Sequence, residues 1–144
     1  MANPFQAWAD IIAVLKPLEG LRAVEALPRF FAAENLATFP TPTAFVGFGG
    51  ERIDNTYGRN VTQTYVIWLM ERNSRDIANL DTCIQLGSLV GRVDLALSDH
   101  TPSSHYTPLE RVNAGDPVQY FPGGLVVYPL WYQTTFIAEP ITED

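Results

Sequence analysis

The sequence has little of several features that usually reveal the class of a protein. Its 144 residues include a single cysteine, Cys83, and a single lysine, Lys16. One cysteine excludes an intramolecular disulfide and a CxxC metal site. No apolar run approaches the length of about 18 residues that spans a bilayer, so we expect no transmembrane helix. The first apolar stretch is not preceded by a basic segment, and we expect no targeting signal.

Charge is scarce, and most of it has one sign. Charged residues make up 17% of the chain, whereas about 25% is typical of a soluble domain. Sixteen acids against nine bases give a formal net charge of −7. Nucleic acids and anionic membranes are bound through Lys and Arg, so this balance argues against both as partners. The bases other than Lys16 are all Arg, which is favoured at subunit contacts. A surface so poor in charge predicts that another molecule covers part of it.

A first helix is predicted over residues 4–16. Asn3 has a side chain suited to capping a helix, and Pro4 suits the first helical position. The apolar side chains that follow recur every three or four residues and form one stripe. This stripe consists of Phe5, Trp8, Ile12 and Leu15.

A second, longer helix is predicted from residue 77 to Leu97. Gly87 and Gly91 lie inside it, and each destabilises a helix by up to about 1 kcal/mol relative to Ala. We therefore expect these glycines to allow close packing against a sheet. The buried side of this helix is predicted to carry Ile77, Leu80, Ile84, Gly87, Val90 and Leu97.

Strand patterns occupy most of the remaining chain. The clearest is 61–70, which becomes apolar on both faces from Val66 to Met70 and should be covered on both sides there. Pro129 predicts an edge strand or a bulge, and residues 98–117 are predicted to be a polar connector. The strands are expected at 21–27, at 43–48 ending at Gly49-Gly50, at 61–70, and in a closing hairpin of 119–121 and 125–137.

This order of elements predicts an α+β fold. We expect a mixed or antiparallel sheet of about four to five strands, with the N-terminal helix and the one long helix packed on it. Hydrophobic residues make up 47% of the chain. A chain of this length buries roughly 68–70% of its unfolded surface, so residues 1–144 are expected to form a single domain.

Two groups of residues could carry enzymatic or metal chemistry. Cys83 with His100 or His105 would make a thiol–imidazole pair, but a lone cysteine among apolar helix positions is usually a small buried hydrophobe. Asp99, His100 and His105 are metal-ligand types. Their spacing matches no short motif, and solvated loop residues are the more common reading.

The stretch around residues 47–60 offers two further candidates. The run Gly47-Phe48-Gly49-Gly50 resembles a phosphate loop, but it lacks the Gly-Lys-Ser/Thr ending and a following helix. Glu51 and Asp54 are paired carboxylates in a polar segment that also contains Arg52 and Arg59, with which they can pair. The sequence therefore predicts no catalytic residue, no cofactor and no metal site.

The order of several segments is similar to that of a known family. These segments are Trp-Ala-Asp-Ile-Ile, Phe-Pro-Thr-Pro-Thr-Ala-Phe-Val-Gly, Thr-Gln-Thr-Tyr-Val-Ile-Trp-Leu and Gly-Gly-Leu-Val-Val-Tyr-Pro-Leu-Trp-Tyr-Gln-Thr-Thr-Phe. Together they resemble the tail terminator and related minor tail, or tail-completion, proteins of long-tailed bacteriophages and prophages. The resemblance implies a structural virion protein rather than an enzyme.

The resemblance also implies a mode of assembly. Six copies would form a ring that caps the tail tube, ends tube polymerisation and offers the surface to which the head is joined. The expected partners are further copies of the chain, the tail tube protein and a head-completion or neck protein. DNA would only pass through the ring. The protein would be found in the virion tail, and in the host cytoplasm during assembly.

Residues 49–60 are predicted to be a polar hairpin arm that contacts a neighbouring subunit or the tube. The residues expected at that contact are Glu51, Arg52, Asp54, Tyr57 and Arg59. An exposed hairpin without a partner is the alternative for the arm. For the whole protein, the alternatives are a neck or head-completion protein bound to the portal connector, and a small cytosolic ligand-binding or enzymatic α+β domain.

Overall fold

The computed structural model describes residues 4–27, 40–54, 60–73, 80–103, 105–113, 118–121 and 124–137. Within them the chain forms two helices and a mixed sheet of six strands, which confirms the predicted α+β class. The elements are α1 (Gln6–Leu15), β1 (Ala23–Ala26), β2 (Thr43–Asp54), β3 (Asn60–Arg72), α2 (Leu80–Leu97), β4 (Glu110–Val112), β5 (Gln119–Phe121) and β6 (Leu125–Ile137).

The sheet is built around three long antiparallel strands. Its order is β1-β2-β3-β6-β4, and β5 also pairs with β6. Of the strands in the described residues, only β1 is parallel to its neighbour, β2. The sheet has more strands than the four to five expected, because β4 lies within residues 98–117, which were predicted to be a connector.

Strand β2 does not end at Gly49-Gly50, as the sequence suggested, but continues to Asp54. Its pairing with β3 shifts register between Phe48 and Gly50, which marks a β-bulge. Gly50 has a φ of 123°, a conformation that glycine adopts readily and other residues rarely do. The glycines therefore bend the strand without ending it.

Both helices pack on one face of the sheet. The main core on that face combines side chains of both helices with alternate residues of the strands, among them Ile11, Leu89, Val46, Ile67 and Tyr132. The opposite face has a smaller core of Phe45, Met70, Leu125 and Val127. Strand β3 is thus covered on both sides from Val66 to Met70, as predicted.

Helix α1 begins two residues later than predicted. Its N-cap is Phe5, which is 53% exposed and makes no capping side-chain bond. The Pro4 carbonyl instead accepts hydrogen bonds from Gln63 Nε2 and the Tyr106 hydroxyl. The predicted cap, Asn3, lies outside the described residues. The fully buried side of the helix is Ala7, Ile11 and Leu15, whereas Trp8 and Ile12 are half-buried at its margin.

The predicted buried side of α2 was wrong. Leu80 and Ile84 are each 63% exposed, and Gly87 is exposed as well. Of the predicted set only Leu97 is fully buried, Val90 is partly buried, and Ile77 lies outside the described residues. The side that packs on the sheet consists of Thr82, Leu86, Leu89, Val93 and Leu97.

Two apolar stripes with the same period explain this difference. Leu86, Leu89, Val93 and Leu97 recur at helical spacing just as the predicted set does. Periodicity identifies a helix but does not say which of two stripes meets the sheet. The close-packing role expected for Gly87 and Gly91 was also wrong, because a Cβ added at either position would meet nothing within 4 Å.

Pro129 lies in a strand that has neighbours on both sides, not in an edge strand. It is opposite Trp68 of β3. On the other side, β5 pairs with β6 only up to Val127, and β4 pairs with it only from Trp131. Proline has no N–H to donate, and it stands where neither short strand reaches.

Candidate assembly surface

The candidate arm is the end of the β2–β3 hairpin beyond the bulge. Glu51 pairs with Gln63, Arg52 with Thr62, Ile53 with Val61, and Asp54 with Asn60. Side chains alternate across a strand, so Glu51 and Ile53 lie on the helix side of the sheet and Arg52 lies on the other. All three are exposed, Ile53 at 60%.

A buried polar network fixes the base of this arm to α1. The Gln63 side chain is fully buried, and its Nε2 donates to the Pro4 carbonyl at 2.5 Å. The Tyr65 hydroxyl donates to Gln63 Oε1 at 2.9 Å, and the Tyr106 hydroxyl donates to the same Pro4 carbonyl at 3.2 Å. Burial, with smaller contributions from nearby Tyr106 and Glu51, raises the pKa of Tyr65 above its ordinary value of 10.0.

An open, polar concavity lies at the bulge, on the side of the sheet to which Arg52, Thr62 and Thr64 project. Its volume is about 320 Å³, and the Thr62 and Thr135 hydroxyls are 3.3 Å apart beside it. A concavity that is open and polar suits contact with another protein surface better than enclosure of a small molecule. Its lining residues are Gly49, Gly50, Glu51, Arg52, Thr62, Thr64 and Gln133.

The structure locates only part of the predicted contact set. Glu51 and Arg52 lie next to each other in β2 but on opposite faces. Asp54 is paired through its backbone with Asn60 at the end of the described hairpin. Tyr57 and Arg59 lie outside the described residues. The contact role of these five residues therefore stays a prediction.

The candidate thiol–imidazole pair is not brought together. The helix from Cys83 to Leu97 is about 21 Å long, and His100 lies beyond its end. His100 Nε2 is instead 2.8 Å from Asp10 Oδ2, which links the end of α2 to α1. The ring of His105 lies against Phe136, with their centroids 6.4 Å apart.

The candidate metal ligands also have other roles. Asp99 follows α2 with a φ of 64°, and its backbone N–H donates to the Leu109 carbonyl at 3.0 Å. Among the residues that the structure describes, no three His, Cys, Asp or Glu side chains are grouped closely enough to hold a metal ion. No helix in the described ranges is long and apolar enough to cross a membrane.

The glycine run 47–50 lies within β2 and is not a phosphate loop. A Cβ at Gly47 would come within 2.7 Å of Leu27, and one at Gly49 within 2.6 Å of the Trp131 ring. These two positions are small because neighbouring side chains pack directly on the strand.

The exposed apolar face of α2 was not predicted from the sequence. Leu80 and Ile84 are each 63% exposed, and Leu95 is 86% exposed. The signal was present, because one helix contained two apolar stripes and a single sheet can cover only one of them.

The family of the whole chain is identified by its similarity to known proteins. The sequence model of the phage tail terminator protein family matches residues 1–142. The chain belongs to the phage tail terminator family. Members of this family are structural proteins of the phage tail, so the chain is a structural virion protein and the resemblance stated above is confirmed.

No curated protein matches the chain. Among solved structures, a chain of the virion of a native gene transfer agent particle is similar to it, with 14% sequence identity and a TM-score of 0.49. That match covers 89% of this chain and 84% of the other.

Proposed function

We propose that six copies of this chain form a ring that caps the tail tube, ends its polymerisation and provides the surface for joining the head. The observation that carries this proposal is the family match over residues 1–142. The whole chain, residues 1–144, acts as one tail terminator domain. Its partners are further copies of itself, the tail tube protein and a head-completion protein, which it meets in the host cytoplasm during assembly.

The exposed apolar side chains support assembly into a larger body. Single exposed apolar residues are common on soluble proteins, but grouped ones mark contact surfaces. Three of the large exposed ones lie on one side of α2, and Ile53 lies on the arm. Within the described residues the set is Phe5, Ile53, Leu80, Ile84, Leu95 and Tyr120.

The polar arm supplies a second kind of contact. Glu51 and Arg52 are exposed on opposite faces of the hairpin, so one arm presents an acid to one side and a base to the other. We propose that these two residues, together with Asp54, Tyr57 and Arg59, contact a neighbouring subunit or the tube. Mixed charges at the rim of an interface favour one partner and orientation over others.

The acidic composition supports a channel through which DNA passes without binding. Each chain has a formal net charge of −7, so a ring of six carries about −42 before pKa shifts. Like charges at short range repel the phosphate backbone and keep DNA from adhering. The ring therefore has no sequence-specific contact with DNA.

Adding the protein to polymerising tail tube protein tests both the ring and its activity. We expect ring-shaped particles with a mass of about 96 kDa, six times 16.0 kDa, either in solution or at tube ends. We also expect the mean tube length in negative-stain images to fall as the protein is added. Unchanged tube lengths with no protein at the tube ends would overturn the proposal, and binding to purified heads instead would favour a head-completion role.

The arm is tested by reversing its charges. Because residues 51–54 pair with β3, substitutions disturb the fold less than a deletion. We expect the double variant Glu51→Arg, Arg52→Glu to lose at least tenfold in tube termination. Glu25→Arg, on an exposed position of β1, is the matched control and should act as wild type. If the double variant terminates tubes as well as the wild type does, the arm is not part of the contact.

A further inference from the structure

The side of α2 that faces away from the sheet carries an apolar stripe. We call it the outer stripe, and it consists of Leu80, Ile84, Gly87, Gly91 and Leu95, which recur every three or four residues. All five are exposed, Leu95 at 86%. A surface helix normally has charged or polar residues on this side. The outer stripe contains no ionisable residue, although the chain as a whole is strongly acidic.

The two glycines leave a gap in the middle of the outer stripe. A Cβ at Gly87 or Gly91 would meet nothing within 4 Å, and neither residue has a positive φ. Neither packing nor backbone conformation within the described chain therefore requires glycine, which destabilises a helix. The glycines are about 6 Å apart along the axis, and Ile84 and Leu95 bound the gap. One aliphatic side chain from outside fits such a space.

The arm of the same protein offers a side chain of this kind. Ile53 is 60% exposed and lies on the helix side of the sheet. Ile53 is the next residue after Glu51 that points to this side. Glu51 pairs with Gln63, whose side chain donates a hydrogen bond to the Pro4 carbonyl at the beginning of α1. Ile53 therefore projects past the part of the hairpin that α1 covers, as an apolar residue on a polar arm.

Charged residues beside the two surfaces are complementary. Arg111 Nη1 lies 4.0 Å from Asp94 Oδ1, and Asp94 is next to the outer stripe on α2. The Arg111 side chain is 41% exposed. Glu51 is exposed on the same face of the arm as Ile53. An arm seated on the outer stripe can bring this acid toward that base, while the uncharged stripe lets two acidic chains approach.

We infer that the outer stripe of α2 receives the β2–β3 arm of a neighbouring copy, with Ile53 in the gap over Gly87 and Gly91. This inference rests on the ring proposed above. A closed ring with head-to-tail contacts needs two different surfaces on each copy. The outer stripe and the arm belong to different elements of the chain and supply those two surfaces.

Cysteine cross-linking tests this contact directly. In a Cys83→Ser background, chains with Ile53→Cys are mixed with chains with Gly91→Cys in the presence of tail tubes and oxidised. We expect disulfide-linked pairs of the two chains at a yield at least tenfold above the control. That control is Gln85→Cys, which is exposed on α2 but about 120° around the helix from Gly91. Equal yields, or pairs formed only between two Gly91→Cys chains, would overturn the inference.

Filling the gap provides an independent test. Gly91→Leu should leave the thermal unfolding temperature unchanged or raise it, because the new side chain enters open space. It should reduce ring formation at least tenfold, whereas Gln85→Leu should not. Wild-type ring formation by Gly91→Leu would overturn the inference while the ring itself stands. If the wild-type protein forms rings but tube length does not change, the proposed function is overturned instead.

Discussion

At the scale of single residues, buried polar side chains hold the arm in place. Gln63 uses both polar atoms of its side-chain amide: Nε2 donates to the Pro4 carbonyl, and Oε1 accepts from the Tyr65 hydroxyl. Buried polar atoms are costly to leave without a partner. The network therefore links the position of the arm to the beginning of α1, and it explains how a fully buried glutamine is tolerated in the sheet.

Replacing Gln63 with leucine is expected to destabilise the protein by about 2–3 kcal/mol. The substitution leaves the Tyr65 hydroxyl and the Pro4 carbonyl with one partner fewer, and each such loss costs roughly 1–3 kcal/mol. Urea unfolding followed by tryptophan fluorescence measures the change. Gln133→Leu, at a half-buried position of β6, is the control and should stay within about 0.5 kcal/mol of wild type. Equal effects at the two positions would contradict this role of the network.

A pH dependence follows from Tyr132. Burial, its hydrogen bond to Asp94 at 2.8 Å and the Asp94 charge raise the pKa of Tyr132 above its ordinary value of 10.0. Above about pH 10 the unfolded chain loses the Tyr132 proton, whereas the folded chain keeps it. The contribution of Tyr132 to the free energy of unfolding is therefore fully present below that pH and is lost as the pH rises above it. We expect a contribution of about 1.4 kcal/mol per pH unit to that loss. Tyr132→Phe should lack this contribution in urea unfolding between about pH 9.5 and 11, a range that spans the ordinary tyrosine pKa. Identical slopes for the two proteins would contradict this assignment.

At the scale of the elements, two glycines in equally open surroundings have opposite roles. A Cβ at Gly50 or Gly87 would meet nothing within 4 Å, but only Gly50 has a positive φ, 123°. Gly50 forms the bulge through which β2 continues into the arm. Gly87 lies in a regular helix, where glycine lowers stability.

Alanine at these two positions should therefore change stability in opposite directions. We expect Gly50→Ala to lower the free energy of unfolding by about 1–3 kcal/mol through backbone strain. Gly87→Ala should raise it by about 0.4–1 kcal/mol, because alanine restricts the unfolded chain. Urea denaturation of the monomeric protein measures both changes. Loss of stability in both variants would show that Gly87 has a packing role within the single chain.

At the scale of the whole molecule, net charge opposes assembly and salt relieves that opposition. Six chains of −7 each repel one another over the Debye length, which shrinks from about 30 Å at 0.01 M salt to about 10 Å at 0.1 M. We expect the proportion of rings, measured by light scattering, to rise over this range of NaCl. A complex held by phosphate contacts would weaken instead. Rings that dissociate as salt is added would contradict a contact centred on uncharged residues.

The sequence by itself determined the fold class and the coverage of β3 on both of its faces. The α+β order, the coverage of β3 on both sides from Val66 to Met70 and the strand over residues 125–137 follow from local patterns of apolar residues. Their period reflects only the geometry of one helix or strand. The family resemblance also came from the order of these segments, and the match over residues 1–142 confirmed it.

Only the tertiary structure decided how these elements are used. Either stripe of α2 satisfies the helical period, and contact with β3 and β6 selects Leu86, Leu89, Val93 and Leu97 as the buried one. The bulge at Gly50 lets β2 pass through a sequence that is typical of a strand end. Pro129 is accommodated because β4 and β5 leave a gap beside it. In each case the outcome depends on a partner distant in sequence, which local patterns do not contain.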